Sequence, residues 1–354
     1  MDMQSGLFSP DVDRLAPVRA IQTIVLGGKR VNVSPVFATY WRFAAERQAI
    51  FFRRLRGTYP ATSDPIMNKF KFTNAYRVLD RTSQYLIREV IYQGSQSPTE
   101  VFFRTLLFKL FNKIQTWELL KAHLPEISFE SYRSELYDRI LTSALEKGER
   151  IYSAAYIMPS GGPHGESRKH RSHFRLLEKM MADRVPEKIS EMITMQAGFT
   201  LLRSYPMIGD FLAYQFITDL NYSDVCHFSE MEFVIPGPGS LDGLKKCFPN
   251  MTLSEAPNLI RGVCEGQSRL QHEAGVECVD LWGRPLQLID CQNLFCEVDK
   301  YARIAHPDII GISGRTRIKQ AFRMTGPIPQ PFFPPKWKLN AHLSSNEHLA
   351  ESLS

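Results

Sequence analysis

The sequence lacks paired cysteines, a long apolar run and a leader-like segment. Its six cysteines include no CxxC pair, which argues against a zinc ribbon or a thioredoxin-like site. No apolar run approaches the roughly 20 residues of a membrane helix, and no apolar segment of the signal-peptide type follows the N-terminus. We therefore expect a protein of a reducing, cytoplasmic compartment that contacts no membrane and holds no metal.

Strand patterns and nucleotide-binding loops are also scarce. The glycine-rich stretch PGPGS at 236–240 leads into LDGLKKC, so the GxxxxGK[ST] spacing of a phosphate-binding loop is absent. A kinase role has no support from this pattern, and no cofactor is indicated. One short β-like run, IQTIVLGGKRVNV, contains a plausible turn at Gly27 and Gly28. The predicted fold class is therefore mainly α, with a short N-terminal β-like arm.

Apolar residues at helical spacing fill most of the remaining chain. Hydrophobic residues make up 44% of the 354 positions, which is enough for a sizeable core. Proline and glycine punctuation predicts an arm at 1–33, a helical subdomain at 34–160, a hairpin-containing helical subdomain at 161–325 and a Pro-rich, polar tail at 326–354. The tail is expected to be extended or disordered. Lys and Arg outnumber Asp and Glu by 43 to 37, a balance that permits nucleic-acid binding.

The stretch LRSYPMIGDFLAYQ at 202–215 predicts a tight turn between two helices, the first at 185–203. Five positions match the helix-hairpin-helix pattern, whose backbone N–H groups hold a DNA phosphate: Leu202, Pro206, Ile208, Gly209 and Ala213. Met207 replaces the first glycine of that pattern, and Asp210 brings negative charge beside the expected phosphate. The alternative is an ordinary helix–helix turn with Gly209 at a close packing point.

Two glutamates follow this hairpin. In helix-hairpin-helix DNA glycosylases, a downstream acidic residue stabilises the cationic sugar or orients water. Here Glu230 and Glu232 follow Gly209 by 21 and 23 positions. Surface glutamates are common, so this spacing is weak evidence alone. Asp290 is a further candidate, and two other carboxylates stay open as alternatives, Asp219 and Asp224.

Polar residues recur at three- and four-residue steps in FKFTNAYRVLDRTSQYLIREVIY, residues 70–92. If 73–92 is one helix, these residues form a stripe along it: Asn74, Arg77, Arg81, Gln84 and Arg88, with Asp80 able to pair with Arg77. Arginine and glutamine suit phosphates and base edges. The alternative is a buried salt-bridge network between helices.

Further polar and basic residues lie downstream of the stripe. The predicted helix at 288–301 carries polar groups that could support a pocket: Asp290, Gln292, Asn293, Asp299 and Lys300. Two segments could attract DNA phosphates through positive charge: Lys245 and Lys246 in LDGLKKC, and Arg168, Lys169 and Arg171 in ESRKHRSHFR. A plain solvated entry into a helix is an equal alternative for the second segment.

Five segments together resemble one known family: YWRFAAERQAIFFRRL, FTNAYRVLDRTSQYLIREVIY, YPMIGDFLAYQ, GPGSLDGLKKCF and DCQNLFCEVDKYAR. The chain is similar, over roughly 34–323, to the helical domain of phage hydroxymethyluracil DNA kinases, also called the α-glutamyl/putrescinyl thymine pyrophosphorylase family. That family is regarded as DNA-glycosylase-like. The resemblance therefore implies a helix-hairpin-helix DNA-glycosylase-like fold and a partner that is double-stranded DNA carrying modified bases, with no obligatory protein partner.

The resemblance implies two chemistries, both of which need the target base outside the duplex. A stand-alone DNA glycosylase would excise bulky pyrimidines such as glucosylated hydroxymethylcytosine from phage DNA, as an anti-phage defence. Alternatively, a transferase would join an amine or amino acid to phosphorylated hydroxymethyluracil in DNA and release pyrophosphate. A non-catalytic DNA-binding module is the third possibility.

The absence of a fused kinase domain favours the glycosylase as the expectation. In that interpretation, Glu230, Glu232 or Asp290 is catalytic, and the hairpin holds the phosphate through Tyr205, Met207 and Gly209. The base pocket would be walled by the stripe and by the polar helix that follows Leu288, so its residues would be Asn74, Arg77, Asp80, Arg81, Gln84, Gln292, Asn293, Asp299 and Lys300.

Overall fold

The computed structural model of the chain describes residues 22–154, 158–159, 168–324 and 326–344. These residues form 15 α-helices and one two-stranded antiparallel sheet, which confirms the predicted fold class. Strands β1 (Thr23–Leu26) and β2 (Lys29–Asn32) form the hairpin of the arm. Gly27 and Gly28 make its turn with φ values of 52° and 78°, a backbone conformation that glycine adopts without strain. Residues 1–21 of the predicted arm lie outside the described residues.

The α-helices fall before and after the gap at 160–167, which lies outside the described residues. Before it the helices are α1 (Pro35–Leu55), α2 (Pro65–Lys69), α3 (Arg81–Tyr85), α4 (Pro98–Phe111), α5 (Ile114–His123) and α6 (Ser134–Glu146). After it they are α7 (Lys169–Ala182), α8 (Val185–Ser190), α9 (Met195–Arg203), α10 (Asp210–Leu220), α11 (Pro238–Cys247), α12 (Ala256–Glu265), α13 (Gln267–Glu273), α14 (Leu288–Ala305) and α15 (Ala341–Ser344). Helical turns of other types lie at Arg77–Leu79, Leu86–Ile91, Leu253–Glu255 and Pro335–Trp337.

Helix α1 packs across the predicted boundary at residue 160. Its N-terminus is capped by the Ser34 hydroxyl, which accepts the Val36 N–H at 3.1 Å, and Pro35 occupies the first turn. The Tyr40 ring is fully buried and its centroid lies 4.4 Å from that of Phe295 on α14. The proposed division at 160/161 stays a prediction, but α1 already joins its two sides.

Helices α11 and α14 approach each other closely because of two glycines. A Cβ added at Gly243 would overlap the Phe295 carbonyl, and one at Gly239 would overlap the Cys296 sulfur. Substitution at either position would therefore force the helices apart. Gly239 of PGPGS and Gly243 of LDGLKKC therefore allow the close packing of these two helices.

The predicted single helix at 73–92 is wrong. Residues 73–76 are non-helical, and a short helical turn spans Arg77–Leu79. Helix α3 begins only at Arg81. The Asp80 carboxylate accepts the Asn74 N–H at 2.8 Å, while the Asn74 amide donates to the Leu79 carbonyl at 2.8 Å. Such local side-chain bonds compete with helical ones, and here they close a loop. The predicted stripe on one helical face is therefore absent.

The expectation of an extended or disordered tail also needs correction over 326–344. This segment is largely extended but ordered against the body: Phe333 is fully buried and Leu339 nearly so. Gln84 exchanges two hydrogen bonds with the backbone of Phe332, at 2.8 and 3.2 Å, and the Lys336 ammonium donates to the Ser223 carbonyl at 2.8 Å. Residues 345–354 lie outside the described part of the chain.

A buried charge triad joins the halves of the helical body. The carboxylate of Asp219 on α10 lies 2.7 Å from Nη1 of Arg77 and 3.1 Å from Nζ of Lys109 on α4. All three side chains are at most 3% exposed. Burial alone would raise the pKa of Asp219, but the two cations outweigh it and hold that pKa below its usual range. The alternative of a buried salt-bridge network is therefore correct for Arg77.

Helix α10 offers a matched pair of variants that tests this triad. Asp219→Asn removes the buried anion and leaves two cations facing each other, so we expect it to cost about 3–5 kcal/mol in the free energy of unfolding. Asp210→Asn removes an exposed partner of Arg203 and should cost about 1 kcal/mol or less. Urea unfolding followed by circular dichroism measures both. Equal costs would contradict the assigned role of Asp219.

Candidate active site

The hairpin joins α9 to α10 through residues 204–209. The predicted first helix at 185–203 is in fact two helices, α8 and α9, with a break at 191–194. Met207 has φ 67°, so it adopts the left-handed conformation at the position where the hairpin pattern has glycine. Gly209 is exposed, and a Cβ added there meets nothing within 4 Å. The alternative of Gly209 as a close packing point is therefore wrong.

Side chains around the hairpin hold the turn from within the protein. Tyr205 is buried and its hydroxyl donates to Asp183 at 2.8 Å, so the predicted contact of Tyr205 with DNA is left to its backbone. Arg203 pairs with Asp210 and offsets the negative charge at the start of α10. The surface open to a ligand is thus mainly the backbone of residues 206–210.

Most of the predicted DNA-binding cations are engaged internally. Lys246 is 1% exposed and pairs with Asp299 at 3.0 Å, so the prediction that it binds phosphate is wrong. Lys245 donates to the Pro249 carbonyl at 2.7 Å. The basic residues of the ESRKHRSHFR segment also have partners within the protein. Arg168 pairs with Glu146 and Arg171 with Asp138, while the Lys169 ammonium lies 4.6 Å from the Tyr152 ring centroid.

Two of the three predicted catalytic carboxylates bind backbone N–H groups with both oxygens. Glu232 caps α9 by accepting from Met195 at 2.7 Å and Gln196 at 3.2 Å. Asp290 accepts from Arg77 at 2.7 Å and Gln287 at 3.0 Å. Burial raises the pKa of Asp290 above its ordinary value. This geometry gives both carboxylates structural roles.

Glu230 differs from the other two carboxylates. Its Oε2 pairs with the guanidinium of Arg284, and among the described residues no group donates to its Oε1. The side chain is 9% exposed, so the free oxygen lies near the surface. Arg284 in turn lies over the Trp337 ring, 3.7 Å from its centroid. Glu230 therefore adjoins an aromatic surface through one arginine.

The predicted base-pocket residues do not form one pocket. Arg77 belongs to the buried triad, and Gln84 binds the backbone of Phe332. Arg81 is exposed at the start of α3. On α14, Asn293 is half-buried, whereas Asp299 and Gln292 are buried. The Gln292 amide lies beside Gly237, and Asp299 binds Lys246 and Arg303.

Three predicted base-pocket residues do meet, in a half-buried polar cluster. Asp80 is bonded to Asn74, and Lys300 pairs with Glu297 at 2.5 Å. Glu297 joins the two parts because its other oxygen accepts the N–H of Thr73 at 3.0 Å. Burial raises the pKa of Asp80 to about 7, and the nearby Glu297 charge adds to the rise. Such a carboxyl can exchange a proton near neutral pH.

Sequence reasoning missed Arg284, Trp282 and Trp337, which line an open-sided cavity of about 390 Å³. These residues lie in segments without helical periodicity, DLWGRP and PPKWK. The signal available was compositional, because only four tryptophans occur in the chain and two of them stand in Gly- or Pro-rich loops. Glu297 shares the polar face of the predicted helix with Lys300, but its bond to the Thr73 N–H was missed because Thr73 comes from a distant segment.

The described ranges contain no group of three or more His, Cys, Asp or Glu side chains placed to hold a metal ion. No helix in these ranges combines the length and apolarity needed to cross a bilayer.

The helical body matches a known family of helical domains. Residues 34–311 match the family described as "5-hmdU DNA kinase, helical domain", and the chain belongs to that family. It is 25% identical over 287 residues to the 5-hmdU DNA kinase of Bacillus phage SP10, covering 74% of this chain and 44% of that protein. The chain thus spans less than half the length of this relative. No solved structure matches it.

The raised pKa of Asp80 predicts a pH-dependent contribution to stability. Between the ordinary carboxyl pKa, about 4, and about 7, the folded protein binds a proton that the unfolded chain does not. Stability therefore falls as pH rises through this window. Asp80→Asn should flatten that fall. Urea unfolding of both proteins at several pH values between 4 and 8 measures the difference in slope, and parallel profiles would contradict the shift.

Proposed function

We propose that the protein binds duplex DNA at the α9–α10 hairpin and removes a bulky modified pyrimidine as a DNA glycosylase, leaving an abasic site. The observation that carries the proposal is the geometry of Glu230. Among the three carboxylates predicted to be catalytic, it alone keeps an oxygen without a donor in the described residues, and its partner Arg284 lines an aromatic cavity. The family match supports a substrate in DNA.

The hairpin supplies the proposed DNA contact. The N–H groups of Met207, Gly209 and Asp210 have no acceptor among the described residues, and they stand at the start of an 11-residue helix. Helix N-termini favour anions through these free donors and the helix dipole. A phosphate at this point would fix the position of the duplex without reading its sequence.

Glu230 would act while water attacks C1′ of the deoxyribose. As the N-glycosidic bond breaks, positive charge builds on the sugar, and a nearby carboxylate stabilises it. The same carboxylate can take the proton of the attacking water while the base leaves with the bonding electron pair. Arg284 would keep Glu230 oriented through their ion pair.

A second candidate is the transferase that joins an amine to a phosphorylated hydroxymethyluracil in DNA. The favouring observation is Asp80, whose pKa of about 7 suits a general base for an ammonium nucleophile. The deprotonated amine would attack the C5 methylene carbon, and pyrophosphate would leave with the electrons of the broken C–O bond. The name of the phage relative, a 5-hmdU DNA kinase, fits a substrate of this origin.

One assay separates the candidates. The protein is incubated with duplexes containing hydroxymethylcytosine, glucosylated hydroxymethylcytosine, hydroxymethyluracil or its pyrophosphate ester, with and without amino acids. Abasic sites without added amine support the glycosylase. A mass gain at the base with pyrophosphate release supports the transferase instead. Binding without either product favours a non-catalytic module.

The two nearby glutamates provide a matched test of catalysis. Glu230→Gln should lower the rate of abasic-site formation at least a hundredfold, because a charge stabilising the transition state is lost, while DNA affinity stays the same. Glu232→Gln weakens a helix cap and should cost about 1 kcal/mol of stability, with the rate retained in the folded protein. Single-turnover kinetics and urea unfolding measure these effects. Loss of rate in Glu232→Gln alone would reject the assignment.

The hairpin backbone is tested at Gly209. Gly209→Leu should fold with a stability change of about 1 kcal/mol, since its side chain meets open space and only the cap preference is lost. Its affinity for duplex DNA should fall about tenfold for every sequence, because the side chain would block a phosphate. Fluorescence anisotropy measures binding. The control is Gln196→Leu at the far end of α9, and unchanged affinity in Gly209→Leu would leave the hairpin as a plain turn.

A further inference from the structure

The cavity beside Glu230 is built from two distant segments of the chain. One wall is the turn of residues 281–287, and the other is residues 337–342 of the C-terminal segment. Its volume is about 390 Å³, within the range of small-ligand pockets. The side chains that give it chemical character are Trp282, Arg284, Gln287, Trp337, Lys338 and His342.

The turn that presents Trp282 is held rigidly in an unusual conformation. Trp282 has φ 49°, which is costly for a bulky residue and is kept only where surrounding contacts enforce it. Here the Tyr76 hydroxyl donates to the Arg284 carbonyl at 2.8 Å and accepts the Leu281 N–H at 3.2 Å. The indole also packs edge-on against Phe52 and Phe333. The contacts therefore fix this ring at the cavity wall.

The lining combines planar rings with positive charge. The Trp282 and His342 rings are parallel within 3°, and the Arg284 guanidinium is stacked over Trp337. The Arg284 charge is balanced by Glu230, whereas Lys338 adds one positive charge to the lining, which disfavours cationic ligands. Flat aromatic and guanidinium faces of this kind bind nucleobases by stacking. A purely apolar ligand would gain little from the two cations.

From this lining we infer that the cavity receives a nucleobase, namely the modified pyrimidine extruded from the duplex. The inference rests on the proposed function and names its base subsite. The base would stack against Trp282 or against the Arg284–Trp337 pair, with its sugar placed towards Glu230. The bulky C5 substituent would be accommodated at the open side. The polar cluster around Asp80 is then a separate site from the base pocket.

Photocrosslinking tests the inference directly. A duplex with one 5-iodouracil, whose iodine stands for a bulky C5 group, is irradiated with the protein, and crosslinked peptides are mapped by mass spectrometry. We expect crosslinks at Trp282 or Trp337. Trp337→Ala and Trp282→Gly should each reduce the yield roughly tenfold, since stacking on one aromatic ring is worth about 1–3 kcal/mol. Glycine suits the positive φ at position 282, so that variant should fold.

Controls separate the possible failures. Phe322→Ala changes an exposed aromatic residue outside the lining and should crosslink like the wild type. Crosslinks that map elsewhere, or that persist in both tryptophan variants, overturn the inference. Free 5-iodo-2′-deoxyuridine forms the second arm, and crosslinking of this nucleoside but not of the duplex overturns the DNA source in favour of a free nucleotide.

The crosslink and the glycosylase assay fail independently. Crosslinks at the tryptophans without abasic sites in the assay keep the base pocket and reject the glycosylase. Abasic sites with crosslinks outside the cavity keep the glycosylase and reject the pocket.

Discussion

The structure depends on one buried anion, the carboxylate of Asp219. It lies between two cations that come from different parts of the chain, Arg77 and Lys109. The Arg77 backbone N–H binds Asp290 at the start of α14, so the same residue also connects to the helix that carries the polar cluster. A buried charge is tolerated only when it is paired. Removing Asp219 therefore disturbs the hairpin helix, α4 and α14 together.

This constraint explains what could be predicted from the sequence and what could not. Helical periodicity in the segments of α1, α4, α10 and α14 was enough for the fold class, since apolar spacing is a local signal. The Gly27-Gly28 turn was likewise a local signal. The helix prediction for the segment 70–92 was wrong, although its pattern of arginine and aspartate is typical of a helix surface. Long-range pairing with Asp219 places Arg77 in the core. Local hydrogen bonding between Asn74 and Asp80 interrupts the helix.

The candidate site was harder to predict for the same reason. The sequence contains no signal that separates the roles of the three carboxylates Glu230, Glu232 and Asp290. They differ in whether their carboxylate oxygens accept hydrogen bonds from backbone N–H groups. Those N–H groups come close to the carboxylates only in the folded chain. Lys246 is a second example. Two consecutive lysines in a sequence predict exposed side chains, but Lys246 pairs with Asp299 in the interior.

Only one of the two walls of the aromatic cavity lies within the residues that match the family. Its turn wall, at 281–287, lies within the residues that match the family, 34–311. Its opposite wall, at 337–342, lies beyond that range and contributes no residue to the buried triad. The shape of the cavity therefore depends in part on a short segment outside the residues that match the family. In the proposed function, substitutions at 337–342 would change which base the cavity accepts without altering a residue of the buried triad.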